Sequence, residues 1–363
     1  MKRSPWFIFL FILLPSGAPG AEGPRFIPGY IYIRERADDG CIAPTHLDRI
    51  WEVNPGTREV RLFVEMTKCL AITSLVFTPD GTRLRAGFRQ DDTIRDFDVN
   101  GNDEIVFDPS DGIGNPWPSN GMAYDAAGNF YVVNSSSATI LRFPADGGPG
   151  EVFADRDDGV GDNGTIAFAP DGDMYYAVQY GVFDSMLRIT PKGTASTFDR
   201  YGPNLSPVTL AIDESENLYV GLDMGEILQY RVGDASSREV LAPRGFFGGT
   251  YVITLTLDER YLLVASQCIL QRVHIATGTV ELVADLELGC FERGMAVAPV
   301  TRAHADFNDD EAVNLLDFAI LQNCFSGSPA EGISEECQTA DIEQDDDVDL
   351  ADFALWRVAF SRH

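Results

Sequence analysis

Apolar and polar positions in the middle of the chain alternate in a pattern that repeats with a period near 44 residues. Each repeat contains a short apolar strand, a turn rich in Gly, Asp and Asn, and a second apolar strand, as in residues 122–133 and 166–177. One apolar position recurs at intervals of 47, 44, 44 and 45 residues, at Phe77, Tyr124, Phe168, Ile212 and Leu257. A repeat of this length built from short strands is typical of the four-stranded blades of a β-propeller.

The two ends of the repeat region indicate how the ring is closed. Residues 30–33 have the pattern of a second strand whose first strand is missing, and residues 294–299 have that of a first strand without a second. Joined in one composite blade, they cover two open strand edges and bring the count to six blades. We therefore predict a mainly β fold, with a six-bladed β-propeller over residues 26–300 and a small α-helical domain over residues 303–363.

The end of the chain carries an acidic motif twice, at an offset of 35 residues. Residues 306–317 and 341–352 have oxygen-bearing side chains at positions 1, 3, 5, 9 and 12, which is the pattern of a loop that wraps a calcium ion. Each loop leads into an apolar segment that is predicted to be a helix. An acidic, solvated tail is the simpler alternative, but such tails usually lack apolar helices beside them.

These paired loop–helix units resemble the type I dockerin, a calcium-folded module that attaches secreted proteins to cohesin-bearing scaffolds. For the first loop, the resemblance implies side-chain ligands at Asp306, Asn308, Asp310 and Asp317, the carbonyl of Ala312, and Asn314 acting through water. For the second loop, it implies Asp341, Glu343, Asp345 and Asp352, the carbonyl of Asp347, and Asp349 acting through water. Two calcium ions are therefore expected, with a cohesin-like or other extracellular protein as partner.

The two loops differ from the usual calcium-loop pattern and from each other. Calcium loops favour Gly at position 6 for a sharp turn, whereas Glu311 and Asp346 stand there. Asp tolerates a positive φ better than Glu does, so the first loop is expected to be the more strained. It also offers three carboxylate ligands against four in the second loop, and we therefore expect the second loop to bind calcium more tightly.

The N-terminus has the organisation of a secretory signal peptide over residues 1–20. Two basic residues precede an apolar stretch at residues 6–14, and residues 18–20 satisfy the small-x-small rule for cleavage before Ala21. An apolar stretch this short cannot span a bilayer. We expect a secreted or cell-surface protein that is exported without membrane insertion.

Charge and cysteine content limit the classes of partner. The net charge of −29 argues against nucleic acid and anionic membrane surfaces as partners, and it favours cations. Six cysteines in an exported chain indicate disulfides. Cys324 and Cys337 flank the linker between the two calcium loops and are the expected pair there. In the propeller, the predicted loop positions favour pairing Cys41 with Cys69 and Cys268 with Cys290.

The propeller repeats resemble the NHL and gluconolactonase-like propellers, chiefly in residues 119–123, 129–132 and 140–147. In gluconolactonase-like proteins a calcium ion in the channel activates water or polarises a lactone. The resemblance makes Asn120, Asp223 and Glu292 candidates for such a site. The sequence contains no G-x-S-x-G, no H-E-x-x-H and no phosphate-binding Gly-Lys-Ser/Thr loop. The other polar residues expected at this end of the channel are amides, at Asn134, Asn163, Gln179 and Gln267. Two carboxylates among many amides suit polar recognition better than acid–base catalysis.

We therefore expect a non-enzymatic binding protein whose propeller recognises a ligand and whose dockerin-like domain attaches it to an extracellular or cell-surface assembly. The dockerin resemblance also implies a link to polysaccharide breakdown and makes carbohydrate a candidate ligand. One alternative is a calcium-assisted lactonase or related hydrolase, and another is a C-terminal module that serves only the stability of the propeller. Leu315, Leu316, Leu350 and Ala351 occupy the positions that contact cohesin in dockerins, or else they pack against the module's own helices.

Overall fold

A computed structural model describes residues 25–35, 47–113, 121–161, 163–179, 184–202, 205–244, 249, 252–266, 268–285, 291–308, 310, 312–325, 333–345 and 347–362. Within these residues the chain forms six four-stranded antiparallel sheets and two α-helices, so the predicted fold class is confirmed. The signal peptide predicted over residues 1–20 lies outside the described residues. Across the described ranges, no helix is both long and apolar enough to cross a membrane.

The strands fall into six blades. The closing blade contributes β1 (Ile31–Glu35), β2 (Arg49–Val53) and β3 (Val60–Glu65) at the start of the chain. Blade 1 holds β4 (Ile72–Phe77), β5 (Leu84–Phe88), β6 (Thr93–Phe97) and β7 (Asp103–Phe107). Blade 2 holds β8 (Met122–Tyr124), β9 (Phe130–Asn134), β10 (Thr139–Phe143) and β11 (Glu151–Ala154). Blade 3 holds β12 (Asn163–Phe168), β13 (Met174–Gln179), β14 (Ser185–Ile189) and β15 (Ala195–Arg200).

The remaining strands complete the ring. Blade 4 holds β16 (Pro207–Ile212), β17 (Asn217–Leu222), β18 (Ile227–Arg231) and β19 (Asp234–Ala242). Blade 5 holds β20 (Val252–Leu255), β21 (Tyr261–Ser266), β22 (Ile269–His274) and β23 (Val280–Asp285). The last strand, β24 (Phe291–Val297), belongs to the closing blade.

The closing blade joins the two ends of the propeller segment. Strand β24 pairs antiparallel with β1, and Val297 lies opposite Ile31 in that pairing. The blade therefore takes its first strand from the end of the repeat region and its other three strands from the start. The composite blade and the count of six blades predicted from the sequence are both confirmed.

Bulges shape the outer strand of every blade. The register between the third and fourth strands shifts near the strand end in each sheet, and blade 4 has a second shift in the same pair of strands. In five blades an exposed apolar residue follows at the same place, namely Leu62, Ile105, Val152, Val240 and Leu282. A bulge twists an open edge away from further pairing, so the outer edges are protected against edge-to-edge association.

One repeat position departs from the sequence prediction. The spacing predicts Leu257 as the equivalent of Phe77, and this prediction is wrong. Strand β20 ends at Leu255, which pairs with Leu262 as Phe77 pairs with Leu84. Leu255 is therefore the equivalent residue, and Leu257 lies in the turn that follows, where it packs against the C-terminal module. Because both positions are leucine, residue type could not separate the two registers.

The C-terminal module contains the 3-10 helix Arg302–His304, α1 (Leu315–Cys324), the 3-10 helix Glu335–Ala340 and α2 (Leu350–Arg362). Its core is built around Leu321 and Trp356. The predicted disulfide between Cys324 and Cys337 is present, with Cα atoms 5.4 Å apart. Cys69 and Cys268 are also disulfide-bonded. Their predicted partners, Cys41 and Cys290, lie outside the described residues.

Candidate metal centre

Both helices of the C-terminal module begin inside a calcium-type loop, and side chains of the loop fix where they begin. Asn314 accepts a hydrogen bond at 2.7 Å from the backbone N–H two residues on, and its own N–H donates to Asp317 at 2.8 Å. In the second loop Asp349 accepts an equivalent bond at 2.6 Å and donates to Asp352 at 2.8 Å. Such reciprocal capping holds the first helical turn. Each helix start is therefore set rigidly against its loop.

The carboxylates at position 12 are completely buried and tie the two ends of each loop together. Besides the cap, Asp317 accepts a bond from the N–H of Phe307 at 2.8 Å, at the start of the first loop. Asp352 accepts the corresponding bond from Ile342 at 2.6 Å. Each loop is thus closed on itself around one buried negative charge.

Three of the predicted side-chain ligands meet in the first loop. Carboxylate oxygens of Asp306, Asp310 and Asp317 all lie within 4.8 Å of one another. Asn308, the fourth predicted ligand, is held beside them because its amide donates to Asp310 at 3.0 Å. Its carbonyl oxygen accepts the backbone N–H of Asp310 at 3.1 Å. Positions 1, 3, 5 and 12 therefore surround one point.

The remaining two predicted positions of the first loop lie on the same side. The amide of Asn314 donates to the carbonyl of Ala312 at 3.4 Å and to Asp310 at 3.2 Å. The predicted backbone ligand and the predicted water-mediated ligand are thus adjacent to the carboxylate cluster.

The second loop brings together a different set of positions. Oxygens of Glu343, Asp349 and Asp352 lie within 4.8 Å of one another. Asp349, predicted to act through water, is therefore part of the carboxylate cluster itself. Asp341 and Asp345 lie outside this group of three, and the N–H of Asp345 donates to Asp341 at 3.1 Å. The sequence pattern identified the residues of the loop, and side-chain rotation decides which of them converge.

Burial and like charges raise the pKa values of three carboxyl groups in the second loop. Burial, with the charges of Asp345 and other loop carboxylates, raises the pKa of Glu343 to about 8. Burial also raises the pKa of Asp352 to about 6. The pKa of Asp347 is raised by burial and by Asp345, and its Oδ1 atom is buried without a hydrogen-bond partner in the described part of the chain. Negative charges held this close destabilise the loop until a cation or protons neutralise them.

The first loop carries less like-charge repulsion than the second. The hydrogen bond from Asn308 lowers the pKa of Asp310, which is exposed. Position 3 of the first loop is the amide Asn308, where the second loop has the carboxyl group of Glu343. The amide removes one negative charge and donates a hydrogen bond that stabilises a neighbouring carboxylate. Carboxylate, amide and carbonyl oxygens are the ligands that calcium prefers, so both donor sets fit this ion.

The residues at position 6 of the loops, Glu311 and Asp346, lie outside the described residues. In the second loop a left-handed conformation occurs at Gln344, position 4, with φ of 56°. The expected difference in strain between the two loops stays a prediction.

The helix starts present an apolar surface. Leu315, Leu316 and Leu350 are 70%, 62% and 70% exposed, which favours a contact surface over packing within the module. Ala351 is half-buried. A cavity of about 370 Å³ lies between α1 and the start of α2, lined by Phe318, Leu321, Gln322, Phe325, Leu350 and Phe353. Leu350 is thus next to the second half of α1. Exposed apolar side chains of this kind mark sites of protein contact.

Of the three candidates for a site in the propeller channel, the structure describes only the side chain of Asp223. Asp223 is exposed just after β17, and its carboxylate accepts the N–H of Ser206 at 3.1 Å. Its own N–H donates to the carbonyl of Ser206 at 2.9 Å, so Asp223 closes a loop. Asn120 and the side chain of Glu292, which lies in β24, are outside the described residues.

A cavity of about 430 Å³ lies at the opposite end of the channel, among the C-terminal halves of the first strands. Phe77, Phe168 and Leu255 are among its lining residues, and its polar side chains are Thr78 and Thr254. The described residues that line it include none with a titratable side chain.

Two turns of the propeller repeats are held by a hydrogen-bond network that was not predicted from the sequence. Asp125 accepts hydrogen bonds from the amide of Asn129 at 2.8 Å and from the hydroxyl of Tyr131 at 3.1 Å. Blade 4 repeats the network around Asp213. The recurring D-x-x-x-N-x-Y spacing was the available signal. These residues stabilise turns between first and second strands.

Comparison with known proteins supports the division into two parts. A chain of a solved structure described as "Crystal structure of Nidogen/Laminin Complex" is 16% identical to this protein, with a TM-score of 0.62, over 75% of this chain and 100% of that chain. At this identity the similarity shows the fold alone. No curated protein sequence matches the chain. Residues 304–357, which contain both carboxylate clusters, match the family model of the dockerin type I domain.

Proposed function

We propose that this protein is an extracellular binding protein. Its calcium-loaded dockerin-type module attaches it to a cohesin-bearing assembly, and its propeller recognises a ligand. The observation that carries the proposal is the pair of carboxylate clusters, one in each loop, inside the segment that matches the dockerin type I family. Two independent oxygen-rich sites on a duplicated frame are hard to explain as a solvated tail.

Calcium, when bound, supplies a positive centre that six to eight oxygen atoms coordinate. Asp306, Asn308, Asp310 and Asp317, with the carbonyl of Ala312 and water on Asn314, would hold the first ion. Asp341, Glu343, Asp345, Asp349 and Asp352, with the carbonyl of Asp347, would hold the second. The protein's own part is to close each loop through its buried position-12 carboxylate, which sets the starts of α1 and α2.

The partner surface follows from what those helix starts expose. Leu315 and Leu316 at the start of α1 and Leu350 at the start of α2 are exposed apolar residues, in a segment (residues 304–363) that contains fifteen Asp and Glu against two Arg. Such a surface fits a partner with an apolar patch inside a basic rim.

The test is a titration of the full chain with calcium by calorimetry, followed by titration of the calcium-loaded chain with a type I cohesin domain. We expect two calcium-binding events, and cohesin binding that a chelator abolishes. Leu315→Asp should weaken cohesin binding at least about 100-fold, equal to ~2.7 kcal/mol. Leu282→Asp is the matched control, because Leu282 is exposed on β23 of the propeller. Calcium binding without any cohesin binding would overturn the attachment function.

The same proposal includes export through residues 1–20 and a carbohydrate ligand for the propeller. Mass spectrometry of the exported protein should find Ala21 as the first residue. Polysaccharide pull-down should retain the chain equally with calcium and with chelator, since the propeller and not the metal module makes that contact. Retention that requires calcium, or no retention on any polysaccharide, would count against carbohydrate.

A further inference from the structure

The first residues of the C-terminal module are bound to both chain segments that flank the closing blade. Strand β24 ends at Val297, and the 3-10 helix Arg302–His304 follows almost at once. On the other side of the blade, the guanidinium of Arg25, just before β1, donates to the carbonyl of Ala303. The module therefore starts at the seam where the ring closes.

His304 makes the second bond across this seam. Its Nδ1 atom accepts the N–H of Thr301 at 3.1 Å and lies 2.8 Å from the Thr301 hydroxyl. A backbone N–H can only donate, so the ring carries its proton on Nε2. Nε2 donates to the carbonyl of Phe26 at 3.2 Å. One imidazole thus joins the segment after β24 to the segment before β1.

Phe26, whose carbonyl accepts the bond from His304, is itself packed into the propeller. Phe26 is 2% exposed, and its ring packs edge-on against Tyr32 of β1 and Phe77 of β4, with centroids 5.3 and 5.0 Å apart. A displacement of Phe26 would therefore disturb the packing of the closing blade against blade 1. Edge-to-face aromatic pairs of this kind stabilise the packing beyond the burial of their surface.

Blade 5 contacts the module as well. Leu257, in the turn after β20, packs on the module core, which includes Val300 and Ala305. On the blade 1 side, a Cβ atom at Gly81 would clash with the Thr301 methyl group, so the Gly81 backbone is in close contact with the Thr301 side chain. The base of the module therefore touches blade 5, the closing blade and blade 1.

The first calcium loop continues directly from this base. Asp306, its first position, follows the completely buried Ala305, and its N–H donates to the carbonyl of Arg302 at 3.0 Å. The next N–H, from Phe307, donates to Asp317 at the far end of the loop. Ordering of the first loop thus orders the turn that carries His304.

We propose that the C-terminal module is a calcium-dependent latch on the propeller. Calcium in the first loop fixes Asp306 and, through the His304 turn, stabilises the closure of the ring. This inference uses the calcium binding of the proposed function and goes beyond it, because it gives the metal a role in the stability of the propeller itself. A ligand that binds only the native state raises the stability of every part that unfolds cooperatively with its site.

The test is thermal unfolding of the full chain, followed by near-ultraviolet circular dichroism, with excess calcium and with chelator. Most of the tyrosines and phenylalanines lie in the propeller, so this signal reports its packing. We expect calcium to raise the Tm of the propeller transition by about 5 °C. Leu257→Ala and His304→Ala should each remove at least about half of that rise while calorimetry still shows calcium binding. Leu282→Ala, in β23 of blade 5 and not part of the module core, should retain the whole rise.

A second comparison separates the loops. Asp310→Asn in the first loop should reduce the calcium-dependent rise more than Asp345→Asn in the second loop does. Equal reductions, or a rise that Leu257→Ala leaves unchanged, would overturn the latch. If calcium binds and the propeller Tm stays the same, the latch is wrong and the metal sites of the proposed function stand. If no calcium binds, both are wrong.

Discussion

Arg85 donates two hydrogen bonds to Asp96 inside blade 1, from Nε at 2.7 Å and from Nη2 at 2.8 Å. The same guanidinium lies 5.2 Å from the ring centroid of Phe107 in β7 and 4.7 Å from that of Phe130 in β9. The guanidinium therefore lies over two aromatic rings, one from blade 1 and one from blade 2, which also stack on each other. Burial lowers and the bonds to Asp96 raise the pKa of Arg85, and the net pKa shift is upward.

We predict that Asp96→Asn destabilises the propeller by about 3 kcal/mol, because it leaves a buried guanidinium without its charge partner. The control is Asp103→Asn, which removes the more exposed partner of Arg95 and should cost less than about 1 kcal/mol. Urea unfolding of both variants measures the two free energies. Equal losses would show that the buried pair has no special role between the blades.

The blade count could be predicted because the apolar strands recur periodically and the two incomplete blades at the ends complete each other to close the ring. Arg85 could not be assigned a role from the sequence. It stands in the apolar segment 84–88, and only the three-dimensional packing of β5 against β6 shows that Asp96 is its partner. The wrong prediction for Leu257 has the same origin, because a leucine stands both at the end of β20 and in the turn that follows it.

The candidate metal site shows a similar limit. Spacing predicts the loop positions, but convergence at positions 1, 5 and 12 in one loop and 3, 9 and 12 in the other depends on side-chain rotation. His304 gave no sequence signal, because its partners are two backbone groups and a hydroxyl contributed by residues of ordinary type.

We predict that the second loop binds calcium at least about tenfold more tightly than the first, a difference of ~1.4 kcal/mol. The second loop has more carboxylates, and these attract a divalent ion more strongly than the smaller number in the first loop does. In calorimetry of the full chain, Asp341→Ala should remove the tighter event and Asp306→Ala the weaker one. Equal losses of affinity in the two variants would contradict this order.

The metal-free module should lose stability as pH rises, contrary to the usual behaviour of carboxylates. The pKa of Glu343 is raised from 4.5 to about 8, so between these values the folded state binds more protons than the unfolded chain. Stability therefore falls with rising pH through that window. Calcium should reverse the slope, because protons compete with the ion for the same oxygens.

Far-ultraviolet circular dichroism of the full chain during heating, with chelator and with calcium, measures both slopes. Glu343→Gln is the control for the assignment, and it should flatten the pH dependence in chelator over the same window. A metal-free module that gains stability toward alkaline pH would show that burial and the neighbouring charges do not raise the pKa of Glu343.

The Cys324–Cys337 disulfide should matter most when calcium is absent. It joins the end of α1 to the 3-10 helix Glu335–Ala340, which leads into the second loop, and the two cysteines are separated by 13 residues. Closing a loop of this length stabilises a fold by about 3 kcal/mol, largely by restricting the unfolded chain. The double substitution Cys324→Ser and Cys337→Ser should therefore unfold the module in chelator at ordinary temperature, while excess calcium restores its helices because binding shifts the equilibrium to the folded state. The measurement is helical dichroism of the full chain as calcium is added, with the native disulfide chain as control. Helices that survive chelation in the double variant would show that packing around Trp356 holds the module together without either crosslink or metal.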